Sequence, residues 1–219
     1  AFKVDEKEVI AIIPFADAVN HKPGTEIGTI TSGTNTFVVK AGEEYQPGEQ
    51  VFQNYGQKSN FELLSSYGFV VENNEDDFIT ISYQVNREYM FADIAMSALN
   101  DAGVNLGDIK LFPNKHSHVL LIERLFALEF SELDKVSGVV EGYSASLQNE
   151  LIALRACIHS LSGVFNSFPT TIEEDEKILA SKDLSANARF AVLLRKTQKE
   201  IVRHNINASY HLWDDLILQ

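Results

Sequence analysis

The amino-acid sequence predicts an α+β fold in which a β-rich stretch is followed by helices. Residues 1–85 are rich in β-branched residues, glycine and turn signals. From about residue 86 the apolar residues recur at helical spacing instead. A hydrophobic fraction of 45%, with 10% aromatic residues, supplies a packed core rather than a disordered chain. The chain has 219 residues, enough for one large domain or two small ones.

In chain order, EVIAIIPF (8–15), TFVVKAG (36–42) and EQVFQNYG (49–56) read as strands, punctuated by Pro23-Gly24, Gly33-Thr34-Asn35 and Pro47-Gly48. SNFELLSSYGF (59–69) reads as a short helix, capped by Ser59 or Asn60 and stopped at Gly68. DFITISYQV (77–85) is a further strand, with Ile81, Tyr83 and Val85 alternating. The helical part opens with 88–103, where Met90, Ile94 and Ala98 share a face and Gly103 ends the run. Helices follow over 118–130 and 146–165. Thr171 then caps a helix with Glu174 three residues on and acids in its first turn. The last and longest helix spans 185–216. The change of period lies between 70 and 87, near Asn73-Asn74, which divides the chain into residues 1–76 and 77–219.

Charge and cysteine content narrow the function classes. Thirty-one acidic and 18 basic residues give a formal net charge of −13. Such a chain repels a phosphate backbone and suits no general nucleic-acid role; it suits basic partners such as lysine-bearing protein segments, but only weakly, since most acidic proteins are simply soluble. The one cysteine, Cys157, forms neither an internal disulfide nor a cysteine-based zinc cluster, in keeping with a reducing compartment. No apolar run is long enough to cross a membrane, and no signal peptide is visible. With no initiator methionine and an apolar strand almost at its start, the sequence reads as part of a longer protein.

Several candidate sites read as structural. There is no phosphate-binding G-x-x-x-x-G-K-[ST] or G-x-G-x-x-G loop and no G-x-S-x-G elbow. His116 and His118 read as an exposed loop pair, His159 as a core histidine on an apolar face, and His204 and His211 as helix residues without a ligand set. Arg195, Lys199 and Arg203, at i, i+4 and i+8, form a basic stripe. It is either a solvated face or a docking edge for an acidic part of a protein substrate. One stretch is harder to dismiss. In IIPFADAVNHKPG (12–24) an apolar strand breaks into Asp17, Asn20 and His21 before a Pro-Gly turn, more hydrogen-bonding side chains than capping and turning require.

PFADAVNH and QPGEQVFQNYGQKSNFELLSSYGFV (46–70) together resemble the C-terminal half of a SET domain of the Rubisco large-subunit methyltransferase-like class. VVENNEDD resembles the segment that joins this domain to a helical lobe. FPTTIEEDEKIL and SANARFAVLLRKTQKEIV resemble the family's Rubisco-substrate-binding lobe, so the similarity covers most of the chain. The resemblance implies an S-adenosyl-L-methionine-dependent protein-lysine N-methyltransferase. A folded protein substrate would dock on the helical lobe, with no nucleic acid, membrane or metal involved, in a monomer. Plastid, cytosol and nucleus all stay open as compartments.

By the same resemblance Asn20 and His21 line the cofactor site, Tyr55 is the active-site tyrosine and also contacts the cofactor, and Asp17 and Tyr67 flank the target-lysine channel. From spacing alone, Tyr55 and Tyr67 read as half-buried aromatics of a strand and a helix, and Asp17 and Asn20 as turn formers. The family's Gly-rich cofactor segment, inserted subdomain and Arg-bearing channel segment have no counterpart in this sequence. The loops after Tyr55 and between Asn20 and Phe37 are short. Two rivals follow: a protein-histidine methyltransferase of the same two-lobe plan, and a non-catalytic protein-binding module.

Overall fold

The computed structural model describes all residues except 1, 5, 6, 10, 11, 26–28, 32–35, 42, 114–117 and 219. His116 and the turn expected at 33–35 therefore lie outside the described residues. The fold is α+β, in two compact units, Ala1–Lys58 and Ser59–Gln219. By compactness the helix after Lys58 belongs with the helical unit. The division expected at 76/77 follows the change from strand to helix period, a different property.

The first unit is built of short ladders. β1 (Phe2–Val4) pairs antiparallel with β2 (Lys7–Val9), and β4 (Thr29–Thr31) with β5 (Thr36–Val38). β3 (Asn20–His21) pairs in parallel with β6 (Phe52–Gln53), Asn20 opposite Phe52 and His21 opposite Gln53. A parallel pair needs a long connection, and here the β4–β5 hairpin lies within it. Of the strand expected over 8–15, Glu8 and Val9 belong to β2, residues 10 and 11 lie outside the described residues, and Pro14 and Phe15 turn, where Pro14 offers no backbone N–H to a ladder.

The second unit begins at α1 (Asn60–Tyr67). Ser59 Oγ accepts from the Glu62 N–H at 3.3 Å, and the Glu62 carboxylate accepts from the Ser59 N–H at 2.7 Å. Gly68, at φ 80°, donates to the Leu63 and Leu64 carbonyls and ends the helix. Asn60 is therefore not the cap. Wholly buried, it donates from its backbone and its amide to Asp77, both at 2.8 Å, and exchanges bonds with the Val71 backbone. These bonds pin the loop 71–77 onto the start of α1.

β7 (Ile79–Ile81) pairs antiparallel with β8 (Ile109–Leu111), a strand the sequence pattern does not reveal. α2 spans Ala92–Asp101, α3 His118–Phe126, α4 Val136–Val140, α5 Leu147–Asn166, α6 Ile172–Leu179 and α7 Ala186–Ile217. A 3₁₀ helix, Phe130–Lys135, leads into α4. α5 packs on α3 and α7, and α6 on α7. Leu99, Ile109, Leu111, Val119, Ile122, Leu125, Leu161 and Val202 lie at the heart of the core.

Two faces differ from expectation. α2 starts only at Ala92 and turns Ala92, Ala95, Ala98 and Leu99 inward, leaving Met90 84% exposed and Ile94 exposed. On α5 the buried face carries Cys157 and Leu161. His159, two residues from each and about 200° around the helix, is on the solvent side.

The expected basic stripe is largely internal. Lys199 is 1% exposed, and its ammonium reaches Asp175 at 2.5 Å, the Thr171 carbonyl at 2.7 Å and the Thr170 carbonyl at 2.9 Å. Arg195 donates from Nε to both Asp175 oxygens, at 3.1 and 3.3 Å, and from Nη2 to Oδ1. Asp175, fully buried, thus faces two cations of α7 from the first turn of α6. Arg203 alone of the three faces solvent. Spacing shows which residues share a face; it does not show that another helix brings a carboxylate to it.

Burial by itself would raise the Asp175 pKa, but hydrogen bonds from Arg195 and Lys199 outweigh it and hold the carboxyl below its ordinary 3.8. Asp175→Asn removes the charge that Lys199 is buried against, and the expected loss of stability is roughly 3–5 kcal/mol in urea denaturation at pH 7. A depressed carboxyl stabilises the fold above its unfolded value and loses that contribution as pH falls through the folded one. The gap between wild type and variant should therefore close below about pH 4. A variant as stable as wild type at pH 7 would remove this cluster from the energetics of the unit.

Candidate functional site

Three of the polar residues of the opening stretch are organised by one turn and one ladder. A 3₁₀ turn, Ala16–Ala18, follows Phe15, which has φ 68°. Positive φ is uncommon for an aromatic residue, so the surrounding bonds must hold it there. Asp17 supplies them: its carboxylate accepts from the Ile13 N–H at 2.5 Å, and its own N–H donates to the Ile13 carbonyl at 3.1 Å. Asp17 therefore closes the turn, with its side chain exposed.

After the turn, β3 sets Asn20 and His21 against β6. The register is continued by a bond from the Lys22 N–H to the Gln53 carbonyl at 3.1 Å. Tyr55 follows β6 directly, and two bonds tie it back. Its hydroxyl donates to the Val19 carbonyl at 2.9 Å, and its N–H donates to His21 Nδ1 at 3.1 Å. The two rings lie 5.2 Å apart at 36°. Because Nδ1 accepts, this imidazole is in the neutral form with its proton on Nε2. Tyr55 and His21 are half-buried, while Asn20 is exposed. Beyond Tyr55, Asn54 Oδ1 accepts from the Gly56 N–H at 2.9 Å and turns the chain at Gly56, φ 89°.

Gln53 is a member of this group that the sequence reading missed. Its amide donates to the Ala16 carbonyl at 3.2 Å and the Val19 carbonyl at 3.4 Å, fastening the 16–19 turn to β6. A signal was present: Gln53-Asn54 breaks an apolar strand as Asp17 and Asn20 break theirs. Val19 contributes only its carbonyl, which no sequence pattern announces. On the flank, Lys22 pairs with Glu43 at 2.5 Å and lies over the Phe52 ring, 5.7 Å from its centroid.

The structure thus brings Asp17, Asn20, His21 and Tyr55 together in the first unit. Tyr67 belongs to the second unit, as the last residue of α1, exposed and with its ring 6.3 Å from Phe69. Chemically, the first-unit group offers an exposed amide, a neutral imidazole, and a phenol whose proton is committed to a backbone carbonyl. Such a set recognises a neutral heterocyclic edge and presents a phenol oxygen as acceptor. Among the described residues no cluster of His, Cys, Asp and Glu could hold a metal ion.

Residues 109–202 match the family described as Rubisco LSMT substrate-binding. The actin-histidine N-methyltransferase of Homo sapiens is 26% identical, with the match covering 91% of this chain and 36% of the relative. The same enzyme of Xenopus tropicalis is 26% identical over 91% of this chain and 37% of its own length. The chain thus spans just over a third of the length of these relatives. Two solved structures share the fold at 24% identity and cover 94% of this chain. One is the SET domain of LSMT bound to lysine and AdoHcy (TM-score 0.74, 50% of that chain); the other is Rubisco LSMT bound to sinefungin and monomethyllysine (TM-score 0.71, 51%).

If the imidazole of His21 holds the Tyr55 amide, His21→Ala should speed hydrogen exchange at the Tyr55 N–H by roughly fivefold, the kinetic equivalent of one net hydrogen bond of about 1 kcal/mol. Unchanged exchange at that amide would show that the imidazole does not protect it.

Proposed function

We propose, from the match of residues 109–202 to the family described as Rubisco LSMT substrate-binding, that the protein is an S-adenosylmethionine-dependent protein methyltransferase of the LSMT-like class. Residues 1–76 would contribute the C-terminal part of its SET domain, and residues 77–219 the lobe that docks the protein substrate. The observation that carries this reading is the clasp of Tyr55 onto Val19 and His21 beside the exposed Asn20.

The residues present suit S-adenosylmethionine. Asn20 and the backbone at Asn20-His21 would hold it, and Tyr55 would stand beside its sulfonium. When bound, the cofactor supplies an electrophilic methyl group to an in-line displacement, in which the protein mainly positions the reactants. Tyr55 keeps its proton on the Val19 carbonyl, so its oxygen is left to accept weak C–H···O contacts from a polarised carbon. Gln53, by holding the same carbonyl, keeps that acceptor in place. Asp17 closes the turn; its place beside the channel, like that of Tyr67, would follow from the resemblance. The role of Tyr67 as channel wall rests on the resemblance alone; aromatic walls favour a cationic methylated product.

Two acceptors fit. Lysine is the acceptor class bound in the solved structures of this fold. It must lose its proton first, since its ordinary pKa is about 10.4. Histidine is favoured by the sequence relatives, which are actin-histidine N-methyltransferases, and its imidazole is already mostly neutral near pH 7. In the full-length protein, Tyr55→Phe should cut turnover by about 10²-fold while changing stability by no more than ~1.5 kcal/mol. Wild-type turnover in that variant would take Tyr55 out of the mechanism. Amino-acid analysis of the methylated product decides the acceptor: methyllysine supports the first reading, methylhistidine the second.

A further inference from the structure

A line of aromatic rings on the second unit runs from the core to open solvent. Phe126 packs against the core, with the Tyr89 ring 5.8 Å from it. The Tyr89 hydroxyl donates to the Leu128 carbonyl. Phe91 meets Tyr89 edge-on at 5.7 Å, and Phe130 lies 6.4 Å beyond Phe91. Phe130 is 81% exposed, and Met90 also lies in solvent. This ledge is not a loose side chain. Phe130 opens the 3₁₀ helix, whose start is held by a reciprocal capping box between Glu129 and Glu132, with the Glu129 N–H 3.0 Å from the Glu132 carboxylate. The capping box fixes the backbone from which Phe130 projects, so docking there orders the side chain without ordering the chain.

The surroundings of the ledge have one dominant sign. Segment 86–94 and segment 128–135, which runs to the end of the 3₁₀ helix, carry five carboxylates, Glu88, Asp93, Glu129, Glu132 and Asp134, against two cations, Arg87 and Lys135, the latter donating to the Ala145 carbonyl. Glu88, Asp93, Glu129 and Asp134 are exposed. Glu132 and Glu129 both act on the Tyr89 hydroxyl, which places them at the ledge itself. An exposed apolar surface rimmed by charge marks an interaction site, and the sign of the rim selects the partner.

We propose that the ledge of Phe130, Phe91 and Met90 docks a basic, apolar-anchored segment of the protein substrate. The proposal rests on the methyltransferase reading for the word substrate. It reverses the polarity expected of the Arg195–Arg203 stripe, whose two inner cations are consumed by Asp175.

The test uses the full-length protein and two labelled synthetic peptides, one alternating lysine with leucine and one alternating glutamate with leucine, read by fluorescence anisotropy at low and high salt. The lysine peptide should bind, and more weakly at high salt. Phe130→Ala should weaken it by about tenfold or more, and Asp93→Lys with Asp134→Lys should remove the preference for it. The melting temperature and calorimetric affinity for S-adenosylhomocysteine should stay at wild-type values in both variants. Equal binding of the two peptides, or undiminished binding by Phe130→Ala, overturns the proposal. So does conversion of a dimer to a monomer by Phe130→Ala, which would make the ledge an interface between copies. Loss of S-adenosylhomocysteine binding in the wild type, with peptide discrimination intact, would count against the methyltransferase reading and leave the docking surface standing.

Discussion

A single buried carboxylate, Asp175, sets the terms on which the helical unit is assembled. It sits at the start of α6 and pairs with both Arg195 and Lys199 on α7. Burying Lys199 without it would cost several kcal/mol, more than most contacts in a domain supply. The capping box at Thr171 aims the same turn, so that Thr170 and Thr171 hand their carbonyls to the Lys199 ammonium. α7 in turn carries α5, α6, α1 and the β7–β8 ladder. The position of this long helix is thus tied to a charge cluster in which Asp175 and Lys199 are closed to solvent. A ledge such as that of Phe130 gains from this rigidity, because docking then orders little of the protein.

The first unit solves a different problem with weaker means. Its ladders are two or three residues long, too short to hold a site by sheet formation alone. Side-chain bonds across more than thirty residues of sequence do the holding instead: Tyr55 to Val19, Tyr55 to His21, and Gln53 to Ala16 and Val19. Each is worth about 1 kcal/mol net. Two of them converge on the Val19 carbonyl, and together they fix the Tyr55 phenol, the His21 imidazole and the Gln53 amide in one place. Methyl transfer asks for little more from a protein than such positioning, since it needs no metal and no acid–base pair to make the methyl electrophilic.

What was legible in the sequence was what is local. Ser59, Gly68 and Thr171 act through backbone groups three or four residues away, and their helices begin and end where those residues predict. The change from strand to helix period was equally visible. What was not legible depends on partners distant in sequence. β8 is a strand because β7 lies beside it. Lys199 is internal because α6 delivers Asp175. His159 faces solvent because the core took the Cys157 side of α5. In the candidate site, the residue types of Asp17, Asn20, His21 and Tyr55 raised the question, and kinship suggested the roles. The bonds that join Tyr55 to His21 across 34 positions, and the part played by Gln53, required the fold.

Asn20 and its neighbours are the proposed place where S-adenosylmethionine is held. Calorimetric titration of S-adenosylhomocysteine into the full-length protein, and into its Asn20→Ala variant, tests this most directly. The account predicts one-site binding to the wild type and a loss of about tenfold or more in affinity in the variant, with the fold retained. No binding to the wild type would contradict it and favour a non-catalytic protein-binding module in its place.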